Sequence, residues 1–276
     1  MVFYLLKGIF AIVILCHMQQ FNCRLVQRTE LTHDVSLYRF EVENGQISYS
    51  PGQFISFVLA DPTTNAKLVR SYSIAGSDSG AQMGLQDGKC LITSDNLELV
   101  VIHVDEGKGT TMLKNLPMGA ILKTVGPAGN LVLKMSSDKG LPMVFCANST
   151  GIAPFRAMLQ YLAQSNTFPE LRVFWGLKTA QDIYLSDEFL TYEKKWSDNG
   201  SMLSIQLCLS RESAIPESLP VPPACCALGR IQHSLEKLPT KPYQFYVCGG
   251  KSFVVDTKAF LASRFPGSEL FVERFN

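Results

Sequence analysis

Short apolar runs separated by turn residues make up the first half of the chain. The runs are rich in β-branched and aromatic residues, and the turns between them contain Gly, Pro, Asn or Asp. Several short strands at this spacing predict an antiparallel barrel or sandwich, with one short helix at TTMLKNL. The clearest predicted strands are SLYRFEV, QFISFVLA, LELVVIHV, AILKTVG and NLVLKM.

The pattern changes after the segment SSDKG. Apolar strands now alternate with helical segments such as APFRAMLQYLAQ, which is typical of a parallel α/β sheet. The predicted strands are LPMVFCA, LRVFWGL, SMLSIQLCLS, YQFYVCGG and ELFVERFN. Because such sheets bind ligands beyond the carboxyl ends of their strands, the loops after the strands are expected to carry the chemistry. A boundary near Ser136 to Gly140 gives a first domain at 18–136 and a second at 137–276.

The amino-terminal residues 1–17 are apolar but contain Lys7. Their longest uninterrupted run, from Gly8 to Cys16, is shorter than the about 20 residues that cross a bilayer. We predict that 1–17 form an extension upstream of a domain that begins near Met18, with membrane targeting as the alternative. The expected location is cytoplasmic, with membrane association only through this segment.

Charge and cysteine content exclude several classes of protein. A formal net charge of +1 over 276 residues argues against nucleic acid as a partner, because phosphate-binding proteins usually carry a basic excess. The eight cysteines have no metal-ligand spacing and no Cys-x-x-Cys pair. We therefore predict reduced thiols, no bound metal and no iron–sulfur cluster in this chain.

Several loops could bind phosphate groups, although each has a structural explanation as well. In TGIAPFRAML, Gly151 allows close backbone approach and Pro154 suits the first turn of a helix whose free amides favour a pyrophosphate. A plain strand-to-helix turn explains the same residues. CLSRES is either a Ser-Arg pair that binds phosphate or a solvated loop. YVCGG places a cysteine either in the ligand crevice or in the core. DEGKGTTML is either a phosphate-binding loop or a capped turn.

Taken in order along the chain, these segments resemble the ferredoxin–NADP(H) reductase superfamily of flavoproteins. The matching segments are RSYS, GKGTTML, GPAG at the turn that closes the barrel, TGIAPFRAML, VFWGLKTAQDIYLSDEF, CLSRES, YVCGG and VERFN. The resemblance implies an antiparallel β-barrel that binds FAD, followed by an α/β parallel-sheet domain that binds NADPH or NADH. It implies an enzyme that moves a hydride between NAD(P)H and FAD, and single electrons to or from a separate ferredoxin or flavodoxin. A reductase component of a multicomponent oxygenase and a flavin-binding redox adaptor without turnover remain alternatives.

The resemblance also implies roles for individual residues. Ser73, Cys248 and Glu273 correspond to the polar catalytic set around the hydride-transfer site. Arg70 would neutralise a flavin phosphate, while Tyr72 and Phe275 would lie against the flavin ring. The implied cofactor-binding residues are Arg70, Ser71, Tyr72, Ser73, His103, Val104, Gly109, Thr110, Thr111, Thr150, Gly151, Pro154, Ser210, Arg211, Cys248, Gly249 and Phe275.

Two positions depart from the family pattern. Ser149 stands where the family usually has glycine, so the loop is expected to lie slightly further from the pyrophosphate. Gly250 and Lys251 stand where Pro or Asn-Pro is common. Ser210 and Arg211 favour NADPH, although the same pair occurs in NADH-dependent relatives.

Overall fold

The structure is a computed structural model that describes residues 19–60, 64, 66–104, 107–135 and 140–275. The predicted extension at 1–17 lies outside the described residues, as do 136–139 at the predicted domain boundary. Among the residues that are described, no helix has the length and apolar character needed to cross a membrane.

The first half forms a closed β-barrel. Its strands and helix are β1 (Gln20–Glu30), β2 (Val35–Val42), β3 (Ile47–Tyr49), β4 (Phe54–Ala60), β5 (Lys67–Ser73), β6 (Gln82–Gln86), β7 (Lys89–Ser94), β8 (Asn96–Ile102), α1 (Lys108–Lys114) and β9 (Ile121–Ala128). Six of the strands make an antiparallel sheet in the order β5-β4-β9-β1-β2-β8. The chain after β5 closes it, because Ala75 N–H donates to Glu98 O (2.7 Å) and Glu98 N–H donates to Gly76 O (2.8 Å). The predicted antiparallel barrel is confirmed.

A three-stranded sheet, in the order β3-β7-β6, was not predicted as such. Its hairpin turns at Asp87 and Gly88, whose φ angles are +50° and +72°. Positive φ at both central residues is the geometry that favours Asp-Gly in tight hairpins, so the sequence QDGK carries a signal for it.

Two predicted features of the first half are wrong. NLVLKM is not a strand: Leu131 and Leu133 are buried, but the backbone is irregular and Leu133 N–H donates to Pro51 O (3.1 Å). The alternating leucines of NLVLKM are therefore buried by packing, without strand pairing. GPAG is not a simple turn either, since β9 continues through Pro127 to Ala128, with a register irregularity opposite Phe54 and Ser56 that tolerates the proline.

The second half is the predicted parallel sheet with helices. Its elements are β10 (Met143–Asn148), α2 (Ala153–Gln164), β11 (Leu171–Leu177), α3 (Ser186–Asp198), β12 (Leu203–Leu209), β13 (Cys226–Leu228), α4 (Ile231–Leu235), β14 (Gln244–Gly250), α5 (Lys251–Arg264) and β15 (Glu269–Phe275). The strand order is β13-β12-β11-β10-β14-β15, and all neighbours are parallel. The five predicted strands are present, and β13 adds a sixth that is too short to have a pattern of its own.

One hydrophobic core runs through both halves. It joins barrel residues such as Ile47 and Ile92 to Phe155 and Leu162 of α2 and to Trp175 of the parallel sheet. A second cluster covers the opposite face of that sheet, against α4 and α5. Since α2 is buried between the barrel and the sheet, it fixes where the carboxyl ends of the parallel strands meet the barrel wall.

Candidate functional site

A cavity of about 860 Å³ lies where the barrel meets the carboxyl edge of the parallel sheet. This volume is in the range of sites that hold small molecules and cofactors. Both halves supply its walls. The barrel half contributes Phe54, Val69, Arg70, Ser71, Tyr72, Ser73, Val100, Val101, Ile102, Val104, Gly107, Lys108, Gly109 and Thr110, and the sheet half contributes Thr150, Ala153, Glu273, Arg274 and Phe275.

Strand β5 presents different chemistry on its two faces. Side chains alternate along a strand, so Arg70 and Tyr72 share one face while Ser71 and Ser73 share the other. The first pair faces the start of α1, because a Cβ on Gly109 would lie 2.7 Å from Arg70 Cγ and 3.2 Å from Tyr72 Oη. On the opposite face, Ser73 Oγ donates to Glu273 Oε1 at 3.0 Å. One strand therefore contacts both the barrel side and the sheet side of the cavity.

Tyr72 is held by other aromatic rings. Its ring lies 5.8 Å from that of Phe57, which in turn lies 4.9 Å from that of Phe40. Burial raises the pKa of Tyr72 to about 12, with Arg70 opposing the shift. The tyrosine is thus neutral in the physiological range and presents a fixed aromatic surface.

The beginning of α1 closes the barrel side of the cavity. Gly109 is buried there, and Thr110 Oγ1 donates to Gly107 O at 3.0 Å, so the threonine hydroxyl is used within the turn. Thr111 is exposed, and its N–H donates to Gly107 O at 2.9 Å.

The two residues that precede this turn differ in position. Val104 is 51% exposed and lines the cavity. His103 lies behind the cavity wall, with Nε2 3.2 Å from Tyr38 Oη and 3.1 Å from Ser36 Oγ, and burial lowers its pKa. Of the two, only Val104 lines this cavity, and contact of His103 with a cofactor stays a prediction.

The predicted catalytic set is assembled at the junction of β5, β14 and β15. Burial raises the pKa of the Glu273 carboxyl, and the hydrogen bond from Ser73 partly opposes this rise. Cys248 is the register partner of Glu273 in the neighbouring strand. Its thiol is buried, and burial together with the nearby Glu273 carboxylate raises its pKa well above the ordinary range. Cys248 is therefore a protonated thiol and not a nucleophile.

The loop after β10 shows how a serine is accommodated at position 149. Ser149 has a φ of +50°, a left-handed conformation that favours glycine. Its carbonyl oxygen accepts hydrogen bonds from Trp175 Nε1 (2.9 Å) and Tyr184 Oη (3.3 Å), which hold the loop in place. Gly151 packs so closely against β14 that a Cβ there would lie 2.1 Å from Cys248 O.

The remaining predicted nucleotide residues are distributed around this loop. Thr150 is buried and lines the cavity, whereas Pro154 is buried at the first turn of α2. Gly249 packs against Phe253 and Asn148. Ser210 and Arg211 follow β12 at the same edge of the sheet and are both exposed, with Ser210 Oγ donating to Leu177 O (3.0 Å).

Several cavity residues were not predicted. Lys108 lies inside the motif GKGTTML, so its place in the motif was a usable signal. Phe54 and Ala153 are ordinary strand and helix residues in sequence, and they reach the cavity only through sheet register and the position of α2. Arg274, between Glu273 and Phe275, also lines the cavity.

Two family models match most of the chain. An oxidoreductase FAD-binding domain matches residues 22–133, and an oxidoreductase NAD-binding domain matches residues 145–259. The chain is 30% identical to ferredoxin–NADP reductase B of Sorangium cellulosum (strain So ce56) over 62% of this chain and 63% of that protein. It is 27% identical to reductase component 1 of terephthalate 1,2-dioxygenase from Comamonas sp over 64% of this chain and 47% of that protein.

A solved structure has a similar fold. The fold is similar to that of flavohemoglobin from Malassezia yamatoensis, crystallised with bound FAD and heme, with a TM-score of 0.74 at 20% identity over 93% of this chain and 60% of that chain. The matched region spans about half to three fifths of the length of the two curated relatives. With an FAD-binding barrel followed by an NAD-binding parallel sheet, the chain belongs to the ferredoxin–NADP(H) reductase superfamily.

Proposed function

We propose that this protein is an FAD-dependent reductase that takes a hydride from NADPH or NADH and passes single electrons to a separate protein carrier such as a ferredoxin or flavodoxin. One observation carries the proposal. The Ser73 hydroxyl of the barrel and the Glu273 carboxyl of the parallel sheet meet at 3.0 Å on the wall of a cavity that both domains line.

The residues on the barrel side fit FAD. Gly109 leaves a space beside Arg70 and Tyr72 that any side chain would fill. Arg70 and Lys108 bring positive charge to the cavity wall, which suits the pyrophosphate of a dinucleotide. Tyr72 presents the ring against which a flat heterocycle packs, and the volume of about 860 Å³ accommodates a large cofactor.

The protein supplies binding, orientation and proton control. Bound FAD supplies the capacity to accept a hydride and release electrons one at a time. Ser73 holds its proton toward Glu273 Oε1, and the raised pKa of Glu273 brings that carboxyl closer to accepting a proton near neutral pH. Cys248 keeps a neutral, buried group beside Glu273, and Phe275 shields the cavity on the sheet side.

The pyridine nucleotide is proposed to bind across the carboxyl edge of the parallel sheet. Thr150 and Ala153 line the cavity where α2 begins, and the amino terminus of a helix favours an anionic pyrophosphate. The exposed Arg211 is available for the adenosine end, which supports NADPH, while NADH remains the alternative.

A reductase component of a multicomponent oxygenase is the second candidate. It is supported by the match to the terephthalate dioxygenase reductase, which covers 64% of this chain. The two functions share the flavin and the nucleotide, and they differ in the protein that receives the electrons.

The experiment is anaerobic reduction of the FAD-loaded full chain. We expect NADPH or NADH to bleach the flavin absorption band within seconds, as turnover of a typical enzyme at about 10 s⁻¹ requires. Bound flavin that bleaches with dithionite but not with either nucleotide would instead indicate an adaptor without turnover. Protein that stays colourless after folding with excess FAD would contradict the whole proposal.

Variants at Tyr72 test the flavin wall, by which we mean Arg70, Tyr72 and Ser73 of β5 where they line the cavity. They are measured in the same kind of preparation. Tyr72→Ala removes the ring and is expected to lower the FAD content of purified protein, because stacking contributes about 1–3 kcal/mol per aromatic contact. Tyr72→Phe keeps the ring and is the matched control, expected to retain FAD.

A further inference from the structure

Arg156 connects the two domains through a buried ion-pair network. It lies in the first turns of α2, and its side chain is 11% exposed. Its Nη1 donates to Glu98 Oε2 of the barrel (2.7 Å) and to Ala75 O (3.1 Å), while Nε donates to Glu188 Oε2 of α3 (2.9 Å). One guanidinium therefore joins a barrel strand, the chain that closes the barrel and a helix of the second domain.

The next turn of α2 repeats this attachment. Gln160, four residues after Arg156, donates from Nε2 to Ser77 O (2.6 Å), and its Oε1 accepts from Ser77 N–H (3.1 Å). Gly76 between the two contact points allows both side chains to approach, because a Cβ there would lie 2.8 Å from Gln160 Oε1 and 3.0 Å from Arg156 Nη1.

The partner on the barrel, Glu98, has two structural roles. Its backbone closes the barrel through hydrogen bonds with Ala75 and Gly76. Its carboxyl group, 3% exposed, accepts from Arg156 on one oxygen and from Arg39 on the other, at 2.6 Å from Arg39 Nη2. Arg39 belongs to β2 of the barrel itself, so the two arginines share one carboxylate but only Arg156 crosses to the other domain.

The same segments carry the proposed cofactor sites. Ala75 lies two residues after the end of β5, which contains Tyr72 and Ser73, and Arg156 follows closely on Thr150 and the loop that begins α2. Directional, charge-assisted hydrogen bonds set an angle and a distance more strictly than apolar packing does. The network thus joins the strand of the flavin wall to the loop of the nucleotide site.

We propose that Arg156 is a positioning residue for hydride transfer, which holds the nucleotide loop at a fixed distance from the flavin wall. The inference rests on the proposed function. Hydride transfer needs the reacting atoms about 3–3.5 Å apart, and a displacement of about 1 Å costs about a hundredfold in rate. Loss of Arg156 should therefore slow the chemical step without removing groups that bind either cofactor.

The test compares Arg156→Gln with Arg39→Gln in the FAD-loaded full chain. Both remove one arginine from Glu98, so both disturb the same buried carboxylate. We expect Arg156→Gln to lower the limiting rate constant of flavin reduction at saturating NAD(P)H by about tenfold to a hundredfold, with a nucleotide Kd within about threefold of wild type. We expect Arg39→Gln to stay within about twofold of wild type in rate.

A second readout needs no cofactor. In the protein without FAD, hydrogen exchange at the amide of Ser77 should be faster in Arg156→Gln than in Arg39→Gln, because only the first loosens α2 from the barrel. If Arg156→Gln does not fold, Arg156→Lys replaces it. The lysine keeps the charge but lacks the planar fork, so a smaller rate loss with intermediate exchange is expected.

The outcomes separate this inference from the function on which it rests. Wild-type flavin that is not reduced by nucleotide overturns both. Three outcomes overturn the inference alone, provided that nucleotide reduces the wild-type flavin. They are equal limiting rates of flavin reduction in the two glutamine variants, an Arg156→Gln effect confined to nucleotide affinity, and an unchanged exchange rate at the Ser77 amide. The inference is also overturned if Arg156→Lys has the wild-type rate of flavin reduction and the wild-type exchange rate at the Ser77 amide.

Discussion

At Ser73 one hydroxyl group links β5 of the barrel to β15 of the parallel sheet. Its partner, Glu273, has a raised pKa because it is buried, and the Ser73 hydrogen bond stabilises the charged form and opposes that rise. Ser73→Ala should therefore raise the pKa of Glu273 further.

The raised pKa of Glu273 determines how the free energy of unfolding depends on pH. A carboxyl whose pKa is higher in the folded than in the unfolded state binds its proton more tightly when folded. Stability from this group is fully present below the unfolded pKa of about 4.3 and is lost as the pH rises through the folded pKa. We expect Ser73→Ala to lower the free energy of unfolding more at pH 7 than at pH 4.

Urea unfolding of the cofactor-free protein at the two pH values measures this difference. Ser71→Ala is the matched control, because the Ser71 hydroxyl lies 2.8 Å from Ser56 Oγ and not against a carboxyl group. Its effect should be the same at both pH values. A Ser73→Ala effect that is also independent of pH would show that the hydrogen bond does not control Glu273.

The cavity residues that could be predicted from the sequence lie in short motifs, in which neighbouring residues alone determine which side chains come together. Arg70 and Tyr72 share a strand face, so the spacing in RSYS was enough to bring them together. Phe54 and Ala153 could not be found this way, because they depend on long-range register and on how α2 docks. The strain at Ser149 was also invisible, since the Trp175 and Tyr184 hydrogen bonds that hold it come from another strand and loop.

At the scale of elements, the loop from β10 to α2 depends on its close contact with β14. Gly151→Ala would place a Cβ 2.1 Å from Cys248 O, and a backbone atom cannot move aside as a side-chain end can. We expect the loop to shift away from the sheet, with a loss of about 1–3 kcal/mol in the free energy of unfolding. The KM for NAD(P)H should rise while the FAD content stays unchanged, since the barrel is not touched.

Gly250→Ala is the control for this substitution. Gly250 lies at the same sheet edge with nothing within 4 Å of the position of a new Cβ. It should change stability and KM little, and equal effects of the two variants would refute the steric explanation. Denaturant unfolding, flavin absorbance and steady-state kinetics on the same preparations provide the three measurements.

The hydrophobic pattern predicted strands and helices correctly where the pattern of apolar residues matches the pattern of burial in the fold. The central parallel strands β10 and β14 are buried on both faces and have mostly apolar sequences, which made them clear. NLVLKM has the alternation of a strand, but its Lys134 N–H donates to Tyr246 Oη of the second domain (3.1 Å), so tertiary contacts replaced a strand partner. The three residues of β13 form a strand only because β12 lies beside them.

At the scale of the molecule, the two domains share more than a linker. One hydrophobic cluster extends from the barrel through α2 into the parallel sheet, and the buried Arg156 network crosses the same boundary. Inter-domain contacts within a chain are often small and polar and allow separate unfolding. Here the shared core makes α2 part of both units, so neither domain buries its apolar surface alone.

We therefore expect the described domains to unfold as one cooperative unit. Differential scanning calorimetry of the full chain should give one transition whose calorimetric and van't Hoff enthalpies agree. FAD at about 100 times its Kd adds about 2.7 kcal/mol to the stability of whatever unit binds it. If barrel and sheet are coupled, FAD should move the whole transition to higher temperature, whereas independent domains would give two transitions of which FAD moves only one. The second result would mean that the shared core does not transmit stability across the cavity.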